Sequence, residues 1–394
     1  MKNMILYGAF DRYNYGDNLM PIVFHRFLTN YYPEILAKYR IEYAGLFHSD
    51  LSKFECKRTN AINNFFDSVG DECIIIVVGG ETLGSRGTTL YSHYVHNLGL
   101  HKLIKRLHST GPRISGAIGG YLCRTGFEFP FTPPPEVFHK DAKVCYNSVG
   151  GKLPCDGWQR SILLDRLKDA CYVSLRDKRS VADMSEIGHT IQVAPDPVSA
   201  ISDLFDEQYI LKRVSARVRD LNKIDYCVFQ AAPNKCEATA SQIAEILAQA
   251  SHAAKTPFVL LPIGYAGGHD DRKLLYEVAK SSAFHVLDDL NIWEILWVIK
   301  NSKGYFGTSL HGAITAMMYA KPHFGIGRQP KLAAYLDEWS VKPFTDLRSV
   351  QEIPRLVEML DEDFSVSLSK VARKTRDGAL RNMHDLLIAA QVFD

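Results

Sequence analysis

The sequence has no excess of charge of either sign, no long apolar run and no signal-peptide pattern. Its 394 residues carry 46 lysines and arginines against 44 aspartates and glutamates, a formal net charge of +2. Nucleic-acid-binding proteins usually carry a strong basic excess, so we expect no nucleic-acid partner. No apolar run approaches the ~18 residues that a bilayer-spanning helix needs, and the short N-terminal apolar stretch runs straight into Asp11 and Arg12. We therefore expect a cytoplasmic protein.

Motifs for metals and for dinucleotides are missing as well. The eight cysteines are scattered and none forms a Cys-x-x-Cys pair, which favours reduced, mostly buried thiols. His93 and His96 are three residues apart, but no third ligand accompanies them, so no metal is predicted. Gly79 and Gly80 fit neither the G-x-G-x-x-G nor the P-loop spacing. We therefore predict no cofactor.

Short apolar runs that end in glycine alternate with helical stretches along the chain. Runs of this kind, as at 4–8 and 73–78, are typical of strands buried on both faces of a parallel sheet. Further strands are predicted at 114–118, 170–175, 224–229, 257–263, 304–307 and 322–326, and helices at 21–32, 93–107, 180–187, 238–252, 290–301, 310–320 and 367–392. The proline-rich segment 127–159 is predicted to be an excursion or a surface loop.

This alternation predicts an α/β fold with two doubly wound, Rossmann-like domains, 1–200 and 201–394. The boundary lies near the acidic stretch 202–207. Ligands of such sheets bind beyond the carboxyl ends of the strands. The C-terminal helical stretch carries several basic residues, which indicates a solvated helix face or, alternatively, a helix that contacts a membrane surface or a partner.

Three loops at predicted strand ends in the first half carry candidate binding groups. Asn14, Asp17 and Asn18 follow the first strand, where they are either helix caps or side chains that face the hydroxyl groups of a ligand. Gly80 follows the buried strand at 73–78 and would let the backbone approach a ligand closely. Arg176 follows the strand at 170–175, where it suits a carboxylate or phosphate, or else an ion pair with an aspartate nearby.

The second half carries the strongest candidate site. Ser309, Leu310 and His311 lie where a short strand meets a helix N-terminus, and such N-termini attract anions. A histidine in the first helical turn, near the expected boundary between the domains, is a candidate for acid–base chemistry. Arg328 and Lys331 follow the next strand and supply positive charge at the same edge of the sheet.

Taken together, these stretches resemble the polysaccharide pyruvyl transferase family. The matching segments, in order, are 7–18 (YGAFDRYNYGDN), 74–85 (IIIVVGGETLGS), 172–188 (YVSLRDKRSVADMSEIG), 193–198 (VAPDPV), 261–271 (LPIGYAGGHDD), 307–322 (GTSLHGAITAMMYAKP) and the region of Lys331. The resemblance implies a fold like that of GT-B glycosyltransferases, with an N-terminal acceptor domain and a C-terminal donor domain facing across a cleft. The C-terminal helix is expected to pack back on the body.

The resemblance also implies the reaction, in which pyruvate passes from phosphoenolpyruvate to two hydroxyls of a sugar as a ketal during cell-surface polysaccharide synthesis. It implies that Arg176 holds the donor anion and that Lys331 lies near it. His311 is then the acid–base residue. Asn14 and Asp17 would lie on the side of the saccharide acceptor; if that acceptor is lipid-linked, the protein would work at the inner face of the cell membrane.

One position departs from the family pattern. The family usually has an arginine two residues before the histidine, and Ser309 stands there in this chain. A serine cannot make a cationic contact with the donor. Either another cation such as Arg328 replaces it, or the donor differs. Two alternatives follow: a GT-B-type glycosyltransferase that uses a nucleotide sugar, and a non-catalytic saccharide-binding protein of the same fold.

Overall fold

The computed structural model divides the chain into two compact units. Its described residues are 1–67, 73–95, 112–154, 157–181, 184, 186–187, 191–233, 235–266, 270–281 and 283–393. Unit 1 comprises Met1–Tyr13, Asp17–Pro197 and Gly378–Asp394, and unit 2 comprises Asn14–Gly16 and Val198–Asp377. The chain passes from unit 1 to unit 2 after Pro197 and returns to unit 1 at Gly378. His96, Cys155 and residues 96–107 of the helix predicted at 93–107 lie outside the described residues.

Unit 1 is built on a parallel sheet. Its strands are β1 (Lys2–Tyr7), β2 (Tyr39–Gly45), β3 (Asn60–Ala61), β4 (Ile74–Val77), β5 (Glu81–Leu83), β6 (Lys143–Gly151), β7 (Tyr172–Leu175) and β8 (Gln192–Val193). They lie in the order β3-β2-β1-β4-β6-β7-β8, and β5 pairs with β6. The order reverses between β1 and β4, which is the switch point where doubly wound sheets bind ligands.

Helices cover this sheet. They are α1 (Tyr15–Tyr31), α2 (Pro33–Lys38), α3 (Gly87–Ser92), α4 (Pro112–Leu122), α5 (Gly157–Lys168) and α6 (Lys178–Val181), with 3₁₀ turns at Ser52–Phe54, Ile62–Phe65 and Pro135–Val137. All four residues of β4 are buried apolar side chains. Such continuous apolar strands are expected where a parallel sheet is covered on both faces.

Unit 2 contains a second parallel sheet. Its strands are β9 (Cys227–Gln230), β10 (Phe258–Leu260), β11 (His285–Val286), β12 (Gly304–Gly307) and β13 (His323–Gly325), in the order β11-β10-β9-β12-β13. Its helices are α7 (Ile201–Leu204), α8 (Glu207–Leu211), α9 (Ala216–Arg219), α10 (Ala240–Ala254), α11 (Asp271–Lys280), α12 (Ile292–Asn301), α13 (Leu310–Met318), α14 (Pro330–Trp339) and α15 (Ile353–Glu358), with 3₁₀ turns at Pro197–Ala200, Asp220–Lys223, Val350–Glu352 and Met359–Asp361. The switch point of this sheet lies between β9 and β12.

The C-terminal helix α16 (Ser365–Ala389) runs from unit 2 into unit 1. In unit 1, Asn382 Nδ2 donates to Asn147 Oδ1 at 2.6 Å and to Ser148 Oγ at 3.0 Å, so the end of α16 is fastened to β6. Arg373 and Arg381 are exposed on this helix. Among the helices of the described residues, none combines the length and the apolar character needed to cross a bilayer.

Several predictions of secondary structure are wrong. Among the described residues, the helix predicted at 180–187 ends at Val181 as α6, and residues 93–95 are not helical. The run at 114–118 belongs to α4, whose buried face is made of small residues four apart, Ser115 and Gly119 among them, rather than of its isoleucines. Helix α1 begins at Tyr15 instead of at Pro21, because the proline lies within the helix and not in its first turn. The segment 127–159 contains β6, which lies between β4 and β7 in the sheet.

Candidate functional site

The candidate site in unit 2 begins where β12 ends and α13 starts. Ser309 is the N-cap of α13, and its side chain accepts a hydrogen bond from Gly312 N at 3.5 Å. Leu310 is 2% exposed, so its side chain is part of the core and does not face a ligand. The helix starts beside the switch point between β9 and β12, the position at which α/β sheets bind anions.

His311 lies in the first turn of α13 and packs against the N-terminal segment Asn14–Gly16. A Cβ on Gly16 would fall 1.8 Å from Cγ and 1.9 Å from Nδ1 of His311, so only a glycine fits there. Tyr15 fastens the segment, since its N donates to Ile263 O at 2.9 Å and its hydroxyl bonds Thr315 Oγ1 at 2.9 Å. The structure thus brings together His311 and the segment that contains Asn14.

A buried hydrogen-bond network lies behind this junction. Asp271 Oδ2 accepts from Gln230 Nε2 at 2.8 Å and from Ile263 N at 3.1 Å. Gln230 Oε1 in turn accepts from Thr308 N at 3.0 Å and from the Tyr305 hydroxyl at 3.2 Å. Burial raises the pKa of Asp271 to about 6, against the opposing effect of these hydrogen bonds. The network spans the switch point and ends on the residue before the cap of α13.

The loop after β13 carries the two predicted cations. Arg328 is 82% exposed at its side chain and pairs with Glu237 at 3.0 Å, whereas Lys331 is half-buried in the first turn of α14. Arg328 lines a cavity of about 690 Å³ together with side chains of both charges, among them Arg348, Asp337 and Asp346. This volume is in the range of small-molecule sites.

The structure places Arg176 in a different setting from the one that the resemblance implies. In unit 1 it is 1% exposed; its guanidinium pairs with Glu81, lies 3.5 Å from Asp196 Oδ2 and lies 3.9 Å from Asp177 Oδ2. Arg179 also pairs with Glu81, at 2.8 Å. The ion pair that the sequence left open as an alternative is therefore present, and it is buried.

The remaining candidates of unit 1 have local roles. Asn18 is buried and its Nδ2 donates to Arg12 O at 2.8 Å, which closes the loop after β1. Asp17 lies half-buried in the first turn of α1, so neither residue caps the helix. Gly80 has a φ of +89°, which favours glycine. It directly precedes Glu81, which pairs with Arg176.

Sequence reasoning missed three residues that shape the site: Gly16, Gln230 and Asp271. Gly16 lies in the loop 7–18 and Asp271 at the end of 261–271, so both stand in stretches that carry the family resemblance. Gln230 is the polar last residue of an otherwise apolar strand, which is the one signal it gives. Among the described residues, no group of three or more metal-ligating side chains comes together.

Comparisons with known proteins point to one family and one fold. The family model for polysaccharide pyruvyl transferase matches residues 14–330. No curated protein has a matching sequence. Solved structures similar to this chain include two UDP-GlcNAc 2-epimerases, one from Neisseria meningitidis bound to UDP-GlcNAc (11% identity, 98% of this chain and 100% of that chain covered, TM-score 0.54) and one from Methanocaldococcus jannaschii (12%, 96% and 100%, 0.52). The N-terminal domain of Candida albicans trehalose-6-phosphate phosphatase is similar too (11%, 99% and 99%, 0.53). These likenesses show a GT-B-like fold of two Rossmann-like units.

Proposed function

Because this chain belongs to the polysaccharide pyruvyl transferase family, we propose that it transfers pyruvate from phosphoenolpyruvate to a sugar diol. The product is a cyclic ketal on a saccharide of the cell surface. The observation that carries the proposal is the position of His311. It lies in the first turn of a helix that begins at a switch point, pressed against a glycine of the N-terminal loop. A helix N-terminus favours an anion, and a titratable imidazole in its first turn supports the proposal.

The proposed chemistry needs one proton donor and one place for negative charge. Protonated His311 gives its proton to the methylene carbon of the donor, which leaves the adjacent carbon electrophilic. One sugar hydroxyl attacks that carbon, the bond to phosphate breaks, and the second hydroxyl closes the ketal. Of the two hydroxyl protons, one leaves with phosphate and the other restores the imidazolium. No step requires a metal, because fixed donors and cations can hold the phosphate charge.

We assign the donor to the start of α13. The backbone N–H groups of Leu310 and His311 belong to the first turn, where the helix dipole favours an anion. Arg328 and Lys331 are the cations that follow the neighbouring strand β13. Arg176 is a weaker candidate than the resemblance implies, because three carboxylates already balance its charge.

We assign the acceptor to the N-terminal loop. Asn14 lies on the segment that packs against His311, and Asp17 follows Gly16 directly in the chain. Their amide and carboxylate groups suit sugar hydroxyls, and Asp17 is the candidate to accept a hydroxyl proton. Asn18 supports the loop through Arg12 O rather than through the ligand. A lipid-linked acceptor would bring the protein to the inner face of the cell membrane.

Three observations favour the nucleotide-sugar alternative. Ser309 caps α13 with a neutral side chain where the family has an arginine. A cavity of about 690 Å³ in the same unit also has room for a ligand larger than phosphoenolpyruvate. Two of the similar structures are enzymes named for UDP-GlcNAc. In this alternative the helix N-terminus binds a diphosphate.

A thermal-shift panel separates these functions, because a ligand that binds only the folded state raises the melting temperature. Phosphoenolpyruvate, UDP, UDP-GlcNAc and a neutral oligosaccharide are each titrated against the purified protein. Stabilisation by phosphoenolpyruvate, with phosphate release that depends on added sugar, supports the pyruvyl transferase. Stabilisation by the uridine nucleotides alone supports the alternative. Response to the oligosaccharide alone supports a non-catalytic saccharide-binding protein.

A further inference from the structure

Asp271 is a buried acid that the proposed chemistry does not use. It is 3% exposed and stands at the first position of α11. An ionised carboxylate is costly to bury unless it is hydrogen-bonded. Buried acids with raised pKa values, placed at the edge of a candidate site, are frequent at functional positions.

One oxygen of this carboxylate is connected to the start of α13. Asp271 Oδ2 holds Gln230 Nε2 at 2.8 Å, and this contact fixes which way the amide of Gln230 points. The amide oxygen is thereby turned toward Thr308, whose N lies 3.0 Å away. Thr308 Oγ1 also accepts from Ala232 N at 3.2 Å. We call the hydrogen bonds from Asp271 through Gln230 to Thr308 a relay; they hold the backbone that leads into α13.

The same oxygen is connected to the N-terminal segment. Asp271 Oδ2 accepts from Ile263 N at 3.1 Å, and the carbonyl of Ile263 accepts from Tyr15 N at 2.9 Å. Asp271 N donates to Gly264 O at 3.0 Å, and Gly264 forms a β-bridge with Asn14. This second relay ends on the segment whose Gly16 touches the imidazole.

We propose that Asp271 is the positioning residue of His311, because its carboxylate fixes both backbone segments that flank the imidazole. It acts through Gln230 on one side and through Ile263 on the other. A shift of either segment by a fraction of an ångström moves the imidazole relative to the helix N-terminus, and errors of about 1 Å cost about a hundredfold in rate. The kinetic consequence rests on the proposed function, whereas the geometric claim does not.

The charge of Asp271 interacts with several neighbouring titratable groups. Lys235 on the loop after β9 favours the charged carboxylate. Cys236 on the same loop and Tyr305 on β12 feel the negative charge, which raises their pKa values, in addition to the larger effect of burial. The protonated acid keeps fewer acceptor sites for Gln230 and Ile263 than the carboxylate does. We therefore expect the position of His311 to change with pH as Asp271 titrates.

The test compares Asp271→Asn with Asp270→Asn in the full chain. Asp270 is the matched control, because it caps the same helix and pairs with Arg272 but has no contact with Gln230 or Ile263 among the described contacts. The imidazole of His311 is followed by nuclear magnetic resonance of histidine-labelled protein from pH 5 to 8, and the His311→Gln variant assigns its signal among the 14 histidines. Turnover of phosphoenolpyruvate is measured on the same samples.

The proposal predicts that Asp271→Asn moves the His311 signal and abolishes the pH-dependent change, expected near pH 6, that protonation of Asp271 causes in the wild type. It also predicts a fall in kcat of about tenfold or more with the donor KM within about twofold, since position rather than binding is lost. Asp270→Asn should match the wild type in both. Identical His311 titrations in Asp271→Asn and in the wild type overturn the proposal.

A second variant covers the case in which Asp271→Asn does not fold. Gln230→Leu cuts the relay to Thr308 and leaves the contact of Asp271 with Ile263 N in place, so it should move the His311 signal while keeping the pH-dependent change expected near pH 6. An unmoved signal overturns the proposal. If the wild type turns over no phosphoenolpyruvate, the proposed function fails, and the resonance comparison alone still decides on Asp271.

Discussion

The imidazole of His311 lies so close to Gly16 that a Cβ on the glycine would fall 1.8 Å from Cγ of the histidine. Real Cβ atoms do not approach other heavy atoms to this distance, so no other residue fits without movement. The contact joins the first loop of the chain to a helix that begins almost 300 residues later in the sequence. It explains why a glycine is needed in the stretch 7–18.

Gly16→Ala is expected to lower kcat by about a hundredfold while the protein stays folded, because the new methyl group displaces either the imidazole or the segment Asn14–Gly16. Turnover and circular dichroism measure the two effects. Gly126→Ala is the control: its φ of +78° makes alanine strained there, but a Cβ would meet nothing within 4 Å. The control should lose stability and keep its kcat. A Gly16→Ala enzyme with normal kcat contradicts the placement of His311.

Arg176→Met is expected to destabilise the fold by about 3–5 kcal/mol, because it removes the buried counter-charge of Asp196 and leaves Glu81 and Asp177 with Arg179 alone. Denaturant unfolding measures this loss. Arg58→Met is the matched control, since Arg58 pairs with Asp50 at the surface and such pairs contribute about 1 kcal/mol or less. If Arg176→Met keeps wild-type stability but loses affinity for phosphoenolpyruvate, Arg176 holds the donor as the resemblance implies.

Ser309→Arg and Ser309→Ala should both lose about 1 kcal/mol of stability, because each removes the side-chain cap of α13. Only the arginine variant adds a cation at the helix N-terminus, so only it should bind phosphoenolpyruvate more tightly than the wild type. Isothermal titration of the three proteins checks this. An arginine variant that binds no better than the alanine variant would remove the donor from the start of α13.

His323 gives a prediction about pH. Burial lowers its pKa to about 4 from the ordinary 6.5, and its Nε2 bonds Ser340 Oγ at 2.7 Å. The unfolded chain binds this proton at a higher pH than the folded chain does. Folding stability contributed by neutral His323 is therefore present above pH 6.5 and is lost as the pH falls toward 4, by up to about 3 kcal/mol.

The measurement is the free energy of unfolding of wild type and His323→Gln between pH 4 and 7. The variant should show a smaller loss on acidification, since it has no proton to bind at that position. Asp271 has the opposite effect, because its raised pKa makes the folded state bind a proton at a higher pH than the unfolded state does. Both proteins contain Asp271, so the difference between them isolates His323. Equal slopes would mean that His323 is not buried in its neutral form.

Much of the fold could be predicted because parallel strands carry a local signal. The runs at 73–78 and 304–307 coincide with β4 and β12, whose side chains are all buried. Strand β6 was missed because the prolines on both sides of it and its own glycines favour a loop. Its polar residues Asn147 and Ser148 are buried in the fold and hydrogen-bonded to another element. Such partners are distant in sequence, so no local pattern reports them.

The candidate site, like the fold, could be predicted from the sequence only in part. His311 was predictable, since a histidine in the first turn of a helix after a short strand is visible in the sequence. An ion pair of Arg176 with a nearby aspartate was one of the two interpretations that the sequence allowed, but the contact with Glu81 was not predictable, because Glu81 comes from another strand and only the folded sheet brings it to the guanidinium. Asp271 was missed for the same reason, because its partner Gln230 ends β9 and its partner Ile263 follows β10.

The most direct test of pyruvyl transfer catalysed by His311 is to measure the product that the wild type and His311→Ala form. Both proteins are incubated with phosphoenolpyruvate and a panel of free and lipid-linked sugars, and phosphate release is followed together with product mass. We expect the wild type to form a product heavier than the sugar by one pyruvate less one water. His311→Ala should remain folded and lose about a hundredfold or more in kcat. Near-normal turnover by His311→Ala, or uridine nucleotide-dependent transfer in place of the ketal product, would contradict the proposed mechanism.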